Sequence, residues 1–247
     1  MISNRTQSEV KRISASFLAA AAVLCLMVTN GAAQTPTVTQ APVYLGEAAN
    51  YAILGASTVT NTGPSVINGN LGVWPGTAYV PGTPAATVNG AIYAGVTEAQ
   101  HAQASLAIAY NEAAGRTAGV VAVAGDLSGQ TLAPGLYNST STIAITGDLT
   151  LDANGDPNAV FVFQVGSALT VASGGRVVLT GGAKAGNVFW QVGSSATLGT
   201  YSAFKGTIMA YASVTIATGA TLDGRALAEN AAVTMDSNVV TTEITQN

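Results

Sequence analysis

Four segments of the chain share one alternating pattern, and this pattern constrains the fold more than any other feature of the sequence. Each segment reads apolar, Thr, apolar, small, then Thr or Ser, and the four segments are 169–173, 196–200, 214–218 and 233–237. Asp236 is the one break in the column of small residues. Strict alternation is typical of a strand with one buried and one solvated face, so the apolar residues point inward. The outward residues are then Thr170, Thr197, Thr215 and Thr234.

The spacing of these threonines indicates a repeating coil. Successive threonines are 27, 18 and 19 residues apart. A period near 18 suits one turn of a three-sided β-helix, in which each turn adds one strand to each of three sides. The sequence therefore predicts a mostly β, parallel β-helix (a solenoid) whose outward threonines form a flat grid of hydroxyls and methyls. The alternative is a generic β scaffold, because threonine favours strands whatever the function.

The first 33 residues have the pattern of a secretory signal peptide. Arg5, Lys11 and Arg12 precede an apolar run over 17–28, and small residues follow at 31–33. This run is shorter than the ~20 residues that a membrane-spanning helix needs. We expect cleavage after Ala33, secretion, and no membrane association afterwards. Cys25, the single cysteine, lies in the leader, so the mature chain is expected to have no disulfide.

The charge of the mature chain argues against two classes of partner. Outside the leader the sequence has 5 basic and 11 acidic residues (8−3 and 12−1), a net charge of −6. Nucleic-acid binding draws its affinity from a basic surface, and anionic membranes attract basic segments. We therefore expect neither partner.

The remaining sequence divides into a flexible lead-in over 34–46 and one domain over 47–247. Residues 72–90 contain three prolines and are predicted to be a loop. One long helix is predicted over about 97–115, because Thr97 and Gln100 have capping-box spacing. An apolar stripe supports this helix, and its members are Ala99, Ala102, Leu106, Ala109 and Ala113.

Two nearly all-apolar segments, 160–165 and 188–192, predict strands that are covered on their outer side. The helix is the natural cover. The residues expected to fill the solenoid interior are Phe161, Leu169, Val171, Phe189, Leu198 and Ile216.

The sequence offers no convincing catalytic or metal site. His101 lies on the predicted helix without a second histidine or a cysteine to complete a metal site. Asp152 and Asp156 faintly resemble a calcium loop, but the terminal glutamate is missing, which favours a polar turn. We predict no catalytic residue, no metal and no cofactor.

Several segments resemble one known family. Residues 187–200 (NVFWQVGSSATLGT) are similar to the best-conserved stretch of the bacterial and fungal ice-binding proteins of the domain-of-unknown-function 3494 type. Residues 51–63, 126–137 and 224–228 and the helix around His101 also resemble that family, so the similarity covers roughly 45–242. The resemblance implies a discontinuous right-handed β-helix with one long α-helix packed alongside. It also implies adsorption to ice, with thermal hysteresis and inhibition of recrystallisation.

The ice face of some members of this family carries the motif Thr, Ala or Gly, any residue, Thr or Asn. Residues 218–221 match it, whereas 173–176 and 200–203 match only in part. We expect Asp236 to mark an edge of the face. The predicted ice-contacting residues are Thr170, Ser173, Thr197, Thr200, Thr215, Ala217, Thr218, Thr221 and Thr234. Should the face lie on another side of the triangle, the next candidates are Thr58, Thr60 and Thr62.

The leading hypothesis is a secreted, monomeric, non-enzymatic protein whose partner is the ice crystal surface. A surface adhesion or polysaccharide-binding β-solenoid is the first alternative, because the same flat face could contact a polysaccharide. A glycan-degrading enzyme is the second, although no acid–base pair of carboxylates stands out.

Overall fold

The computed structural model describes Pro36 and residues 38–242. The chain divides between Ala32 and Ala33 into two units, and every described residue belongs to the second. The predicted leader with its Cys25 therefore lies outside the described residues. Within the described part, no helix is both long enough and apolar enough to span a membrane.

Short strands separated by tight corners make up most of the described chain, with one α-helix, α1 (Thr97–Ala114), and two 3-10 helices, Gly46–Asn50 and Ala185–Asn187. In chain order the strands are β1 (Tyr51–Gly55), β2 (Thr58–Thr62), β3 (Val66–Asn68), β4 (Asn70–Val73), β5 (Ala78–Val80), β6 (Thr87–Val88), β7 (Ile92–Ala94), β8 (Val120–Ala122), β9 (Gly125–Asp126), β10 (Thr131–Leu132), β11 (Gly135–Ser139), β12 (Ile143–Ile145), β13 (Asp148–Asp152), β14 (Phe161–Val165), β15 (Leu169–Val171), β16 (Arg176–Thr180), β17 (Val188–Val192), β18 (Ala196–Leu198), β19 (Ala203–Ala210), β20 (Val214–Ile216), β21 (Thr221–Ala228), β22 (Val233–Asp236) and β23 (Val239–Thr241).

These strands form a parallel β-helix with three sides. The eight-stranded sheet (β2, β5, β9, β12, β15, β18, β20, β22) is one side, which we call the threonine side. The fifteen-stranded sheet supplies the other two sides, because β19 and β21 bend at Gly206 and Gly224 and pair with different strands at their two ends. We call the side that includes β14 and β17 the helix side, and the side that includes β13 and β16 the charged side.

The order of strands in the stack differs from their order in the chain. On the threonine side it is β5-β2-β22-β20-β18-β15-β12-β9, so the last strand of this side, β22, pairs with β2 from the start of the domain. The first coils build one end of the stack. Helix α1 follows β7 and leads to β8 at the opposite end, from which the later coils return to meet the first. The predicted discontinuous β-helix with one long helix alongside is thus confirmed.

The interior of the coils is apolar, as the alternating pattern predicts. Phe161, Leu169, Val171, Leu198 and Ile216 are at most 1% exposed and lie in one core. The rings of Tyr137, Phe163 and Trp190 stack through this core in consecutive coils, with centroid separations of 5.2 and 3.9 Å, and Phe204 packs against Trp190 at 5.1 Å with its ring tilted by 47°.

A second core lies between α1 and the helix side. The predicted stripe of α1 is buried, and Leu106 packs in this core with Val162 and Phe189. The prediction for Phe189 is therefore wrong in one respect: it is buried, but it points outward under the helix. Gln164 of the sheet donates to the carbonyls of Ala113 (2.8 Å) and Arg116 (2.8 Å), which satisfies backbone groups where the helix ends.

Three local expectations differ from the structure. The N-cap of α1 is Val96 without a side-chain cap, so the predicted capping box at Thr97 does not form. The predicted loop over 72–90 contains β5 and β6, which complete the end coil. In the predicted flexible lead-in, residues 41–45 pack against the fold, because Val43 and Leu45 are buried in the second core and Arg116 donates to the Ala41 carbonyl at 2.5 Å.

Candidate functional site

A column of five threonines runs along the centre of the threonine side. The pairing register aligns them in neighbouring strands, in the order Thr170, Thr197, Thr215, Thr234 and Thr60. The residues flanking each threonine along its strand are buried, so the threonine side chains all point outward. With neighbouring strands about 4.8 Å apart, the column is about 19 Å long.

The hydroxyls of this column are free to meet an external partner. Among the described residues, none of the five side chains hydrogen-bonds to the protein, although a threonine hydroxyl can both donate and accept. The hydroxyls of Ser195 and Ser213, by contrast, lie 2.9 Å apart and bond to each other. β-Branching restricts χ1 of threonine, so the column is stiff before any ligand arrives.

Small residues on one flank of the column keep the surface flat. This flank consists of Ala172, Gly199 and Ala217, whose backbone amides bond to the preceding coil at 2.8–2.9 Å. Gly199 has no room for a side chain, since an added Cβ would lie 2.6 Å from the carbonyl carbon of Ala172. The other flank consists of Ala168, Ser195, Ser213 and Ala232, which are partly exposed.

Beyond the small residues, the edge of the threonine side is a column of four hydroxyls and one carboxylate at the corner of the triangle. The Gly174 amide donates to the Thr200 carbonyl, the Tyr201 amide to Thr218, the Gly219 amide to Asp236 and the Ser237 amide to Thr62. These bonds align the edge column, which consists of Ser173, Thr200, Thr218, Asp236 and Thr62. Asp236 therefore lies level with Thr218, not with Ala217 as the sequence pattern suggests, because the corner after β22 is one residue shorter.

The motif at 218–221 turns this corner. Thr218 is exposed at the edge of the threonine side, Gly219 adopts φ +71°, and Ala220 is fully buried. Thr221 begins β21 on the charged side. At the equivalent corner one coil away, Tyr201 takes the left-handed conformation (φ +56°) and its ring covers Gly219.

Only two charged residues lie on the described part of the threonine side, and both are carboxylates held by hydroxyls. Asp126 ends the central column, next to Ala144, and accepts hydrogen bonds from the hydroxyls of Ser128 (2.6 Å) and Thr146. These bonds, with those from the Ser128 and Thr146 amides, hold the pKa of the Asp126 carboxyl well below its usual range. Asp236 accepts from Thr218 Oγ1 at 2.5 Å and from Ser237 Oγ at 3.0 Å.

The other two sides differ from the threonine side, because one carries ion pairs and the other is covered. The charged side carries two ion pairs between neighbouring coils, Arg176–Asp148 at 2.6 Å and Lys205–Asp223 at 3.1 Å. The helix side is covered by α1 and the lead-in. Of the three sides, the threonine side alone combines an uncovered sheet with a regular, cation-free outer surface in the described residues.

The structure brings most of the predicted ice-contacting residues together and separates one. Thr170, Thr197, Thr215 and Thr234 form the central column, Ala217 lies beside it, and Ser173, Thr200 and Thr218 lie on the edge. Thr221 lies on the neighbouring side. Sequence reasoning missed Thr60: it assigned Thr58, Thr60 and Thr62 to a possible different side, yet β2 pairs with β22 in the same sheet. Because Thr58 and Thr60 are two residues apart in an alternating strand, the sequence does show that both lie on the same face of that strand. Spacing along the chain does not show that this strand pairs with β22.

The other residues considered for chemistry have ordinary surroundings. His101 is exposed on α1. Asp152 and Asp156 accept from the amides of Asn154 (2.9 Å) and Asn158 (2.8 Å), as in polar turns. Within the described residues, no group of three or more His, Cys, Asp or Glu side chains could hold a metal ion.

Comparison with known proteins agrees with this architecture. A family profile described as "Ice-binding-like" matches residues 53–241. The chain is 50% identical over 220 residues to an "Ice-binding protein" from Nostoc sp. (strain HG1), covering 89% of this chain and 81% of that protein.

Two solved structures are also similar. The crystal structure of an ice binding protein from an Antarctic biological consortium is 47% identical, with a TM-score of 0.83 over 85% of this chain and 95% of that chain. The structure of an ice-binding protein from Arctic yeast is 34% identical, with a TM-score of 0.78 over 83% and 96%. With the profile spanning most of the sequence and its relatives matched over most of their length, this chain belongs to the Ice-binding-like family.

Proposed function

We propose that this protein is a secreted ice-binding protein that adsorbs to ice through the threonine side, causes thermal hysteresis and inhibits recrystallisation. One observation carries the proposal: five outward threonines in register, whose hydroxyls have no hydrogen-bonding partner among the described residues. The relatives named as ice-binding proteins support it.

The physical argument rests on regularity and stiffness. Strand spacing repeats the hydroxyls about every 4.8 Å along the column, comparable to the oxygen repeats on ice planes. Each hydroxyl can donate to or accept from a lattice water, while the methyl group orders water without binding it strongly. Because χ1 is already restricted, adsorption loses little side-chain entropy.

The proposed partner is the ice surface, and the proposed mechanism is adsorption without catalysis. We propose a monomer, since one threonine side presents the whole column. Nucleic acid and anionic membranes are poor partners for a mature chain with a net charge of −6. The pattern of the first 33 residues supports export.

The decisive experiment is thermal hysteresis and ice-crystal morphology of the purified mature chain, starting at Gln34. We expect a freezing-point gap and faceted crystals, with small crystals persisting in a recrystallisation assay. Round, freely growing crystals at all concentrations would refute the proposal. Retention on an insoluble polysaccharide, without any effect on ice, would instead support the adhesion alternative.

Export has its own test. Mass spectrometry of secreted material should show a chain that begins near Gln34 and has no disulfide. Retention of the apolar segment 17–28 would overturn the export proposal while leaving the ice-binding proposal intact.

A further inference from the structure

The two carboxylates of the threonine side share one arrangement, although they lie in different coils. In each case one carboxylate oxygen accepts from a threonine of the neighbouring coil, Thr146 for Asp126 and Thr218 for Asp236. The other oxygen accepts from a serine of the same coil, Ser128 at 2.6 Å or Ser237 at 3.0 Å. We call this arrangement, a carboxylate that accepts from one threonine and one serine hydroxyl, a hydroxyl clamp. It is present at both charged residues on the described part of this side.

Each clamp has consequences for both partners. A hydroxyl has one proton, so a hydroxyl that donates to a carboxylate can only accept from water on its outer side. The carboxylate, in turn, has hydrogen bonds on both oxygens and holds fewer waters of its own. The hydroxyls of the five central threonines donate to no carboxylate among the described residues, so each can both donate to and accept from water.

We propose that Asp126 and Asp236 are positioning residues of the ice-binding surface, which hold the hydroxyls of Thr146 and Thr218 in one orientation while those hydroxyls suppress the hydration of the carboxylates. This inference rests on the proposed function. A free carboxylate at these positions would keep a hydration shell that does not fit a flat lattice. The clamp allows a charged residue to lie at the margin of the surface without disrupting the ordered water beside it.

The edge column offers a matched pair of variants for a test. Thr218 donates to Asp236, whereas Thr200, at the same level of the neighbouring coil, makes no side-chain hydrogen bond in the described structure. Valine keeps the branched shape and removes the hydroxyl. Thr218→Val exposes a carboxylate oxygen, and Thr200→Val removes only a free hydroxyl.

The measurement is the partition of each purified variant into a slowly growing ice shell, with thermal unfolding recorded in parallel. We expect Thr218→Val to reduce the partition more than Thr200→Val, because Thr218→Val removes a hydroxyl and also leaves a carboxylate oxygen of Asp236 free to hold water, whereas Thr200→Val removes only a hydroxyl. Adding Asp236→Asn to Thr218→Val should restore part of the loss, because the amide carries no charge to hydrate. A merely structural contact would change the melting temperature and would not produce this rescue.

The second clamp supplies an independent readout that does not use ice. In Thr146→Val, the pKa of Asp126 measured by NMR should rise towards its usual range, because a hydrogen bond to the charged form is lost. Equal losses for Thr218→Val and Thr200→Val, no rescue by Asp236→Asn, or an unchanged Asp126 pKa would each overturn the inference. Failure of the proposed function looks different, because the wild-type protein itself would then stay out of the ice.

Discussion

Replacing Thr215 with tyrosine tests the threonine side at its most sensitive point. Thr215 is the middle residue of the five-threonine column, with Thr197 on one side and Thr234 on the other. These neighbours lie about 4.8 Å away, and a ring at the centre keeps both of them from a flat surface. Three hydroxyls of the column then no longer reach the lattice.

The size of the expected effect follows from the hydrogen bonds that these three hydroxyls would make to ice. A hydrogen bond contributes a net of about 0.5–1.5 kcal/mol, so removing three of them weakens adsorption by at least about 1.5 kcal/mol. That is at least about a tenfold fall in the partition into ice. The fold should be retained, since Thr215 is only partly buried, its hydroxyl has no partner among the described residues, and surface substitutions usually change stability by less than about 0.5 kcal/mol.

The assay combines ice partitioning and thermal hysteresis with a denaturant melt for each variant. Thr131→Tyr is the matched control, because Thr131 is exposed on a strand of the charged side. We expect the control to keep its ice activity. Unchanged partitioning of Thr215→Tyr, with an intact fold, would show that the threonine side does not contact ice.

Three further predictions concern strand β2, the apolar core and the carboxylate of Asp126. Thr60→Tyr should reduce ice partitioning as Thr215→Tyr does; an effect no larger than that of Thr131→Tyr would exclude β2 from the contact surface. Leu198→Ala should cost about 2–5 kcal/mol in denaturant melts, because Leu198 is fully buried, and a loss well under about 1 kcal/mol would contradict its inward orientation. The stability that the depressed pKa of Asp126 contributes is present above the ordinary aspartate pKa of about 3.9 and is lost as the pH falls below it. The melting temperature of the wild type should therefore fall more between about pH 5 and pH 2 than that of Asp126→Asn, and parallel curves would refute this.

The sequence by itself determined the repeating unit of this protein. Alternation of apolar residues and threonine shows which side chains are inward, because the strand has a period of two. That rule correctly predicts the burial of Leu169, Val171 and Leu198. The stripe of α1 was equally readable, because its period of 3.6 depends only on local geometry. Phe189 shows the limit of the rule: an all-apolar strand has no alternation, so its outward residues cannot be told from its inward ones.

The tertiary structure decided how the units are stacked. Thr60 and Thr234 are far apart in the chain and adjacent in the sheet, because the later coils return along the axis and pair with the first coil. The tertiary structure also set the lengths of the corners. The corner after β22 is one residue shorter than the corner after β20, which brings Asp236 beside Thr218. Periodicity within a strand is a local property, whereas the neighbour of a strand depends on where the whole chain returns. For this reason the sequence predicted a threonine face, and only the fold showed how far it extends and which hydroxyls along it are free.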